Sequence, residues 1–155
     1  MTERSHRPGG ALMIQDIQAQ LPIRYPFLMI DRVLECSERT LVALKNVTAD
    51  EWFFEGHFPG DPLMPGSLIL EGMAQSAGLL AQTIAGRGGG SLGYLVGVDG
   101  ARFKRKVIPG DQIIYRAELL RARGELFRLA VEARVADELV AEATLSLMLA
   151  TLDDE

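Results

Sequence analysis

Cysteine is almost absent from the sequence, and this scarcity excludes two kinds of site. The 155 residues include one cysteine, Cys36. A disulfide within the chain is therefore impossible, and a thiolate metal site would need ligands that the chain lacks. We expect Cys36 to be a half-buried strand residue, the chain to need no metal, and its compartment to be the reducing cytoplasm.

Excess positive charge and long apolar runs are also lacking. The formal net charge of -5 argues against nucleic acid as a partner, because domains that bind it usually carry a basic excess. The sequence has no run of about 18 apolar residues, so we expect no membrane-spanning helix. Residues 1–11 are polar and lack the apolar stretch of a secretory signal. We predict a flexible tail over 1–11 and a single domain over 12–155.

The remaining composition is that of an ordinary globular domain, with 48% hydrophobic and 24% charged residues. Helical spacing of apolar residues predicts a short helix over 12–20, which Pro22 ends. Two apolar segments with a polar turn between them predict a hairpin of strands 27–35 and 39–48. Period-two patterns and short turns at Arg123-Gly124 and Asp137-Glu138 predict further antiparallel strands over 91–99, 112–122, 125–136 and 139–151.

Residues 66–86 predict the longest helix of the chain. Their apolar side chains lie all round the helical wheel, which is typical of a helix buried on every side. About six antiparallel strands must cover this helix, because neither element can bury its apolar surface alone. We therefore predict an α+β fold in which an antiparallel sheet wraps around a long central helix, the shape known as the hotdog fold.

Histidine is scarce as well, and one of the two stands in an unusual loop. His6 lies in the predicted tail, so His57 is the only imidazole of the predicted domain. Its loop, residues 49–66, combines prolines and glycines with four aromatic residues, which argue for an ordered and functional segment. A lone histidine is usually structural, but this setting makes His57 a candidate for proton transfer near neutral pH.

Glu71 is the only charged residue of the predicted central helix, and its neighbours are mostly apolar. Burying an unpaired carboxylate is costly. Glu71 is therefore either at a solvated or salt-bridged position or part of a functional site. At the start of the same helix, Pro65 has no N–H, so the amides of Gly66 and Ser67 are the candidate donors to a developing oxyanion.

The segment GHFPGDPLMPGSLILEGMAQ, residues 56–75, resembles the signature of the β-hydroxyacyl-(acyl carrier protein) dehydratases. The similarity covers roughly residues 12–150. Glu71 stands where the FabZ type carries glutamate, whereas the FabA type, which also isomerises the double bond, carries aspartate. Ile23 and Lys106 depart from the family pattern, which has histidine and proline there. Further matching segments are LPIRYPFLMIDRV (21–33), ALKNVT (43–48) and ARFKRKVIPGDQ (101–112).

The resemblance implies a site and a reaction. His57 would remove the C2 proton of a (3R)-3-hydroxyacyl thioester, Glu71 would protonate the leaving C3 hydroxyl, and the Gly66 amide would polarise the carbonyl. The product would be the trans-2-enoyl thioester of fatty acid or related acyl-chain synthesis, formed without a cofactor. The family also implies a homodimer that combines His57 of one subunit with Glu71 of the other, and commonly a trimer of dimers.

The implied partner is acyl carrier protein, which is acidic and would need a basic patch on this acidic chain. The acyl chain would run beside the central helix, near Leu68, Met73 and Leu95. The candidate docking residues are Arg102, Lys104, Arg105 and Lys106, with Arg121, Arg123 and Arg128 as a second group.

Three other functions are consistent with parts of this pattern. A hotdog thioesterase would hydrolyse the thioester with a carboxylate and would need no loop histidine. A non-catalytic acyl-binding subunit would keep the fold but lose the His57 and Glu71 pair. An isomerising FabA-type dehydratase would form a cis-3-enoyl product, and Asp61 is a residue also familiar in that branch.

Overall fold

The computed structural model describes residues 10–151. Most of the predicted tail, residues 1–9, and the last four residues of the predicted domain, 152–155, lie outside the described residues. A six-stranded antiparallel sheet has the strand order β1-β2-β4-β5-β6-β3. The elements are α1 (Ile14–Gln20), β1 (Arg32–Cys36), β2 (Thr40–Asn46), α2 (Gly66–Ala85), β3 (Ser91–Phe103), β4 (Gln112–Arg123), β5 (Leu126–Val135) and β6 (Glu138–Thr151).

The long helix α2 packs against β2, β3, β4, β5 and β6, which confirms the predicted α+β architecture. One close contact fixes its height above the sheet. A Cβ atom at Gly72 would overlap the ring and hydroxyl of Tyr115 on β4, so a glycine is needed there. At its end, Gly86 adopts a left-handed conformation with φ of 67°, and its N–H binds the carbonyls of Gln82 and Thr83.

The prediction of a strand from residue 27 is wrong, because β1 begins only at Arg32. The side chain of Gln75 on α2 takes the backbone groups that a strand would offer to its neighbour. Its Oε1 accepts the N–H of Met29 at 2.8 Å, and its Nε2 donates to the carbonyl of Phe27 at 2.6 Å. Two tertiary hydrogen bonds to the Gln75 side chain therefore replace the strand pairing that the apolar pattern predicts.

Several other boundaries differ from the predictions by a few residues. The first helix begins at Ile14, because Leu12 pairs with Val33 of β1. Strand β3 continues to Phe103, four residues beyond its predicted end, with two irregularities in its pairing to β6. The turn between β5 and β6 is formed by Ala136 and Asp137, both with positive φ, one residue earlier than predicted.

The loop between β2 and α2 is ordered, as predicted, and contains a short 3-10 helix, Trp52–Phe54. Phe53 and Phe54 are buried in the core. A partly buried ion pair joins the start of the 3-10 helix to the sheet, with Lys45 Nζ 3.0 Å from Glu51 Oε1. The loop that carries His57 is therefore attached to the fold by both apolar and ionic contacts.

The two edges of the sheet differ in what covers them. Strand β1 pairs with Leu12 on its outer side, whereas β3 pairs only with β6 among residues 10–151 and has several exposed apolar side chains. Tyr94, Leu95 and Val96 are 54%, 43% and 53% exposed. Among residues 10–151, no helix has the length and apolar character needed to cross a membrane.

Candidate active site

His57 is held at three atoms by its own loop. Its backbone N–H binds the carbonyl of Phe53 at 3.1 Å, and its carbonyl accepts the N–H of Leu63 at 2.9 Å. Its ring Nδ1 lies 2.6 Å from the carbonyl oxygen of Leu63. The Phe58 ring lies against the imidazole, with the ring centres 3.9 Å apart. These contacts fix both the position and the orientation of the ring.

The contact with Leu63 determines which ring nitrogen of His57 is free. A carbonyl oxygen can only accept a hydrogen bond, so Nδ1 carries the proton and donates it. Neutral His57 therefore has an unprotonated Nε2, which is the nitrogen that can accept a proton from a substrate. The ring lines a cavity of about 570 Å³, which we call the histidine cavity.

The start of α2 contributes to the same region. Leu68 and Ile69 donate their N–H groups to the carbonyl of Pro65 at 3.0 and 3.1 Å. The N–H groups of Gly66 and Ser67 precede the first acceptor that the helix can offer. Ser67 lines the histidine cavity, and Gly66 lines a neighbouring cavity of about 300 Å³ beside the basic segment. The two predicted donors thus lie at one helix end but border different cavities.

Glu71 is half-buried one turn further along α2 and lines a second cavity of about 330 Å³, which we call the glutamate cavity. Its Oε1 accepts a hydrogen bond of 3.0 Å from Gln75 Nε2. Gln75 cannot turn freely, because its Oε1 is bound to Met29 and its Nε2 also binds Phe27. Gln75 therefore holds the Glu71 carboxylate with an amide that is itself fixed in the core.

Sequence reasoning missed Gln75, although a signal was present. A glutamine four residues after a glutamate lies on the same helix face, where the two side chains can meet. The spacing of Glu71 and Gln75 alone therefore predicts the hydrogen bond between their side chains. The long-range contacts of Gln75 with residues 27–29, which make it rigid, carry no local signature in the sequence.

Within one chain, the structure does not bring His57 and Glu71 together. They line separate cavities, and among residues 10–151 neither side chain hydrogen-bonds to the other. Leu68 lines the histidine cavity and Leu95 the glutamate cavity, so two of the predicted acyl-chain residues stand beside the two candidate groups.

Met73, the third predicted acyl-chain residue, lines neither the histidine cavity nor the glutamate cavity. Its side chain is 0% exposed and belongs to the apolar core between helix and sheet. It lies two residues from Glu71, and residues at that spacing face different sides of a helix. The placement of Met73 beside an acyl chain therefore stays a prediction, which the linings of the histidine and glutamate cavities do not support.

The predicted basic residues form two separate groups. In the first, Lys104 pairs with Glu142 at 3.3 Å and Arg105 with Glu138 at 3.4 Å. Lys106 is exposed and lines the same small cavity as Lys104 and Arg105, and Arg102 is exposed on β3. Two of these four cations are thus already compensated by carboxylates of β6.

The second basic group, which we call the arginine pocket, lies on the outer face of β4 and β5. Arg121 and Arg128 are directly opposite each other across the two strands. Together with Arg123 they line a cavity of about 240 Å³. Arg128 pairs with Asp99 at 3.0 Å. Like charges that face each other across strands repel, so this pocket favours an anionic group between them.

Comparison with known proteins places the chain in a family. The model of the FabA-like domain matches residues 21–144. The 3-hydroxyacyl-(acyl-carrier-protein) dehydratase FabZ of Syntrophobacter fumaroxidans is 49% identical over 132 residues, which cover 85% of this chain and 90% of the relative.

Solved structures show the same fold at low sequence identity. The dehydratase heterocomplex ApeI:P from Xenorhabdus doucetiae matches with a TM-score of 0.76 at 18% identity, covering 88% of this chain and 92% of the other. A thioesterase from Haemophilus influenzae matches with a TM-score of 0.62 at 15% identity, covering 81% of each chain. These similarities confirm the hotdog fold, and the match over residues 21–144 shows that the chain belongs to the FabA-like family.

Proposed function

We propose that this protein dehydrates (3R)-3-hydroxyacyl-acyl carrier protein to trans-2-enoyl-acyl carrier protein in the cytoplasm, as a step of fatty acid or related acyl-chain synthesis. The observation that carries the proposal is the state of His57. Its Nδ1 is committed to the Leu63 carbonyl, so its Nε2 is free to take a proton in a cavity beside a helix N-terminus. The FabZ relative, similar over most of the chain, supports the same reaction.

The mechanism divides the work among three groups. His57 Nε2 removes the C2 proton, and negative charge develops on the thioester oxygen. The free N–H groups of Gly66 and Ser67 at the start of α2 stabilise that charge with the positive end of the helix dipole, and Ser67 does so from the lining of the histidine cavity itself. Glu71, which Gln75 holds in place, then protonates the leaving C3 hydroxyl. The C2–H and C3–O bonds break, water leaves, and the double bond forms between C2 and C3.

The active unit in this proposal is a homodimer. His57 and Glu71 line separate cavities of one chain, so a complete site needs His57 from one subunit and Glu71 from the other. The free edge of β3, with exposed Tyr94, Leu95 and Val96, is the surface on which a second copy would pair. By resemblance to the FabZ type, three such dimers would form a hexamer.

We propose the arginine pocket as the main docking surface for the carrier. Arg121, Arg123 and Arg128 converge on one cavity, and among residues 10–151 only Arg128 of the three pairs with a carboxylate, that of Asp99. In the other group, Lys104 and Arg105 are both compensated by carboxylates. An acidic carrier, or the phosphate of its prosthetic group, supplies the anion that this arrangement favours. Arg102 and Lys106 extend the positive surface along the neighbouring strand and loop.

The direct test is an assay of the purified protein with 3-hydroxyacyl-acyl carrier protein, in parallel with His57→Ala and Glu71→Gln. Loss of water is followed by mass and by enoyl absorbance. We expect the wild type to form the trans-2-enoyl product without a cis-3-enoyl product. We expect each variant to lose at least a hundredfold in kcat.

Two outcomes would contradict the proposal. Release of free thiol instead of water would indicate a thioesterase. A folded wild type that is inactive on every chain length would leave the non-catalytic acyl-binding function. The matched control is Glu55→Gln, which changes another carboxylate beside the histidine cavity and is expected to retain activity.

A further inference from the structure

Two glycines lie in the interior of α2, and the packing of the helix explains only one of them. A Cβ atom at Gly72 would overlap Tyr115, so the fold requires glycine at that position. At Gly78, the nearest atom to a Cβ would be Leu21 Cδ2 at 4.0 Å, which is an ordinary contact distance. The backbone of Gly78 is helical. Alanine would therefore fit at position 78 without a clash and without backbone strain.

Glycine at position 78 lowers the stability of the helix. In a helix interior, glycine is less favourable than alanine, because it loses more conformational freedom on folding and has no side chain to bury. Neither a close contact nor a special dihedral angle offsets this loss at Gly78. Positions at which a protein departs from the locally favoured residue, with no gain to the fold, are often functional. The place of Gly78 in the molecule indicates what that function is.

Gly78 lines the glutamate cavity, two helical turns beyond Glu71. Residues seven apart share one face of a helix, and at 1.5 Å per residue these two lie about 10.5 Å apart along the axis. The same cavity has apolar walls from Leu21, Ile23 and Leu92. Such walls suit a methylene chain. Because a side chain at position 78 would meet no close neighbour, it would extend into this cavity and narrow it.

We propose that Gly78 determines the length of the acyl chain that the glutamate cavity accepts. This role rests on the proposed dehydratase function, in which Glu71 acts at C3 of the substrate. An extended chain advances about 1.2 Å per bond, so a chain that follows α2 from Glu71 reaches Gly78 about nine bonds beyond C3. Chains of about eight carbons or fewer end before Gly78, whereas a chain of about sixteen carbons must pass it. The missing side chain leaves the space through which the longer chain passes.

The test compares 3-hydroxyacyl-acyl carrier proteins with acyl chains of about six and about sixteen carbons, which end on either side of Gly78. The proteins are the wild type, Gly78→Ala, Gly78→Leu and the control Ala85→Leu. The control adds a large apolar side chain at an exposed position of α2 that is absent from the cavity lining. Each protein is assayed for kcat/KM on both chains, and thermal unfolding at one protein concentration gives its Tm.

We expect the four proteins to use the shorter chain equally. On the longer chain, Gly78→Leu should lose about tenfold or more in kcat/KM and Gly78→Ala about threefold, because added methyl and methylene groups occupy the space that the chain needs. Ala85→Leu should use both chains as the wild type does. Gly78→Ala should raise the Tm by about 2–4 °C, because alanine favours the helix and fills empty space.

Several results would overturn the role of Gly78 and leave the dehydratase function intact. These are an unchanged use of the longer chain by Gly78→Leu, an equal loss on both chains by Gly78→Ala, and the same selective loss in Ala85→Leu. A lower Tm in Gly78→Ala would show that the fold itself requires this glycine, and a wild type that uses only the shorter chain would show that no long chain passes it. A wild type inactive on both chains would overturn the dehydratase function as well.

Discussion

Gln75 is the residue on which the geometry of the proposed acid depends. Its amide links the Glu71 carboxylate to the backbone of residues 27–29. Gln75→Glu preserves the size of the side chain and an acceptor for Met29 N–H. It removes the donor and places a second carboxylate beside Glu71. We expect a tenfold or larger loss in kcat with KM little changed, together with about 1–3 kcal/mol of lost stability.

The matched control for Gln75 is Gln82→Glu, on the same helix and the same cavity but without contact to Glu71. We expect this variant to retain kcat on a short substrate. Steady-state kinetics of both variants measure the loss of kcat, and urea unfolding measures the loss of stability. Equal kcat in Gln75→Glu and the wild type would contradict a positioning role for Gln75.

Tyr115 predicts a specific dependence of stability on alkaline pH. Burial beneath α2 raises the pKa of its phenol well above the ordinary value, and Asp31, Glu51 and Glu71 raise it further by repulsion. The folded state therefore keeps this proton while the unfolded chain releases it above about pH 10. The stability that the protonated Tyr115 phenol contributes to the folded state is fully present below about pH 10 and is lost as the pH rises beyond it.

We expect the free energy of unfolding to fall above pH 10 by up to about 1.4 kcal/mol per pH unit more in the wild type than in Tyr115→Phe. Urea unfolding at about pH 9 and about pH 11 measures the difference. The exposed Tyr25→Phe is the control and should behave as the wild type. Parallel losses in the wild type and Tyr115→Phe would contradict the assignment.

Among single residues, the sequence drew attention to those whose chemistry is rare. His57 and Glu71 became candidates because one is the sole imidazole of the predicted domain and the other the sole charge of its helix. Cys36 is half-buried at the end of β1, as expected, and burial raises the pKa of its thiol. The prediction for Met73 had no such basis, because the composition of a helix that is apolar all round does not tell which apolar side chain faces a cavity.

At the scale of elements, the loop that carries His57 depends on an ion pair. Lys45 on β2 and Glu51 at the start of the loop are both largely buried, with side chains 6% and 17% exposed. Lys45→Met leaves the Glu51 carboxylate without its partner. We expect a loss of about 3 kcal/mol in stability and a lower kcat, because the loop is no longer held.

The double variant Lys45→Met, Glu51→Leu removes both charges and should recover much of the stability, because a buried ion pair contributes little over apolar residues. Urea unfolding of the single and double variants measures this recovery. A single variant as stable as the wild type would contradict the anchoring of the loop by this pair.

The elements that the sequence predicted well are those with local signals. Helix α2 was placed to within one residue, because Pro65 and Gly86 mark its ends. The strands β4, β5 and β6 follow from alternation and tight turns. The prediction of a strand over residues 27–31 failed because the backbone N–H of Met29 binds the side chain of Gln75, 46 residues away. Such a contact exists only after the fold has formed.

At the scale of the whole molecule, the free edge of β3 predicts assembly. Val96 is 53% exposed on this edge. Val96→Arg places a charge where a second copy would pair, and charges on edge strands block such pairing. We expect a monomer with at least a tenfold loss of activity, seen by light scattering and kinetics. Leu34→Arg on the opposite edge strand, β1, is the control and should remain oligomeric and active. A dimeric Val96→Arg would contradict the assignment of this edge.

The most direct test of the proposed site, shared between two subunits, is the activity of hybrids of two inactive variants. His57→Ala and Glu71→Gln subunits are co-expressed, purified together and assayed with a 3-hydroxyacyl thioester. If each site combines His57 of one subunit with Glu71 of its partner, a random mixture of dimers regains about a quarter of wild-type activity, because half of the dimers have one intact site of two. A mixture as inactive as its parents would contradict the shared site and place both groups within one chain.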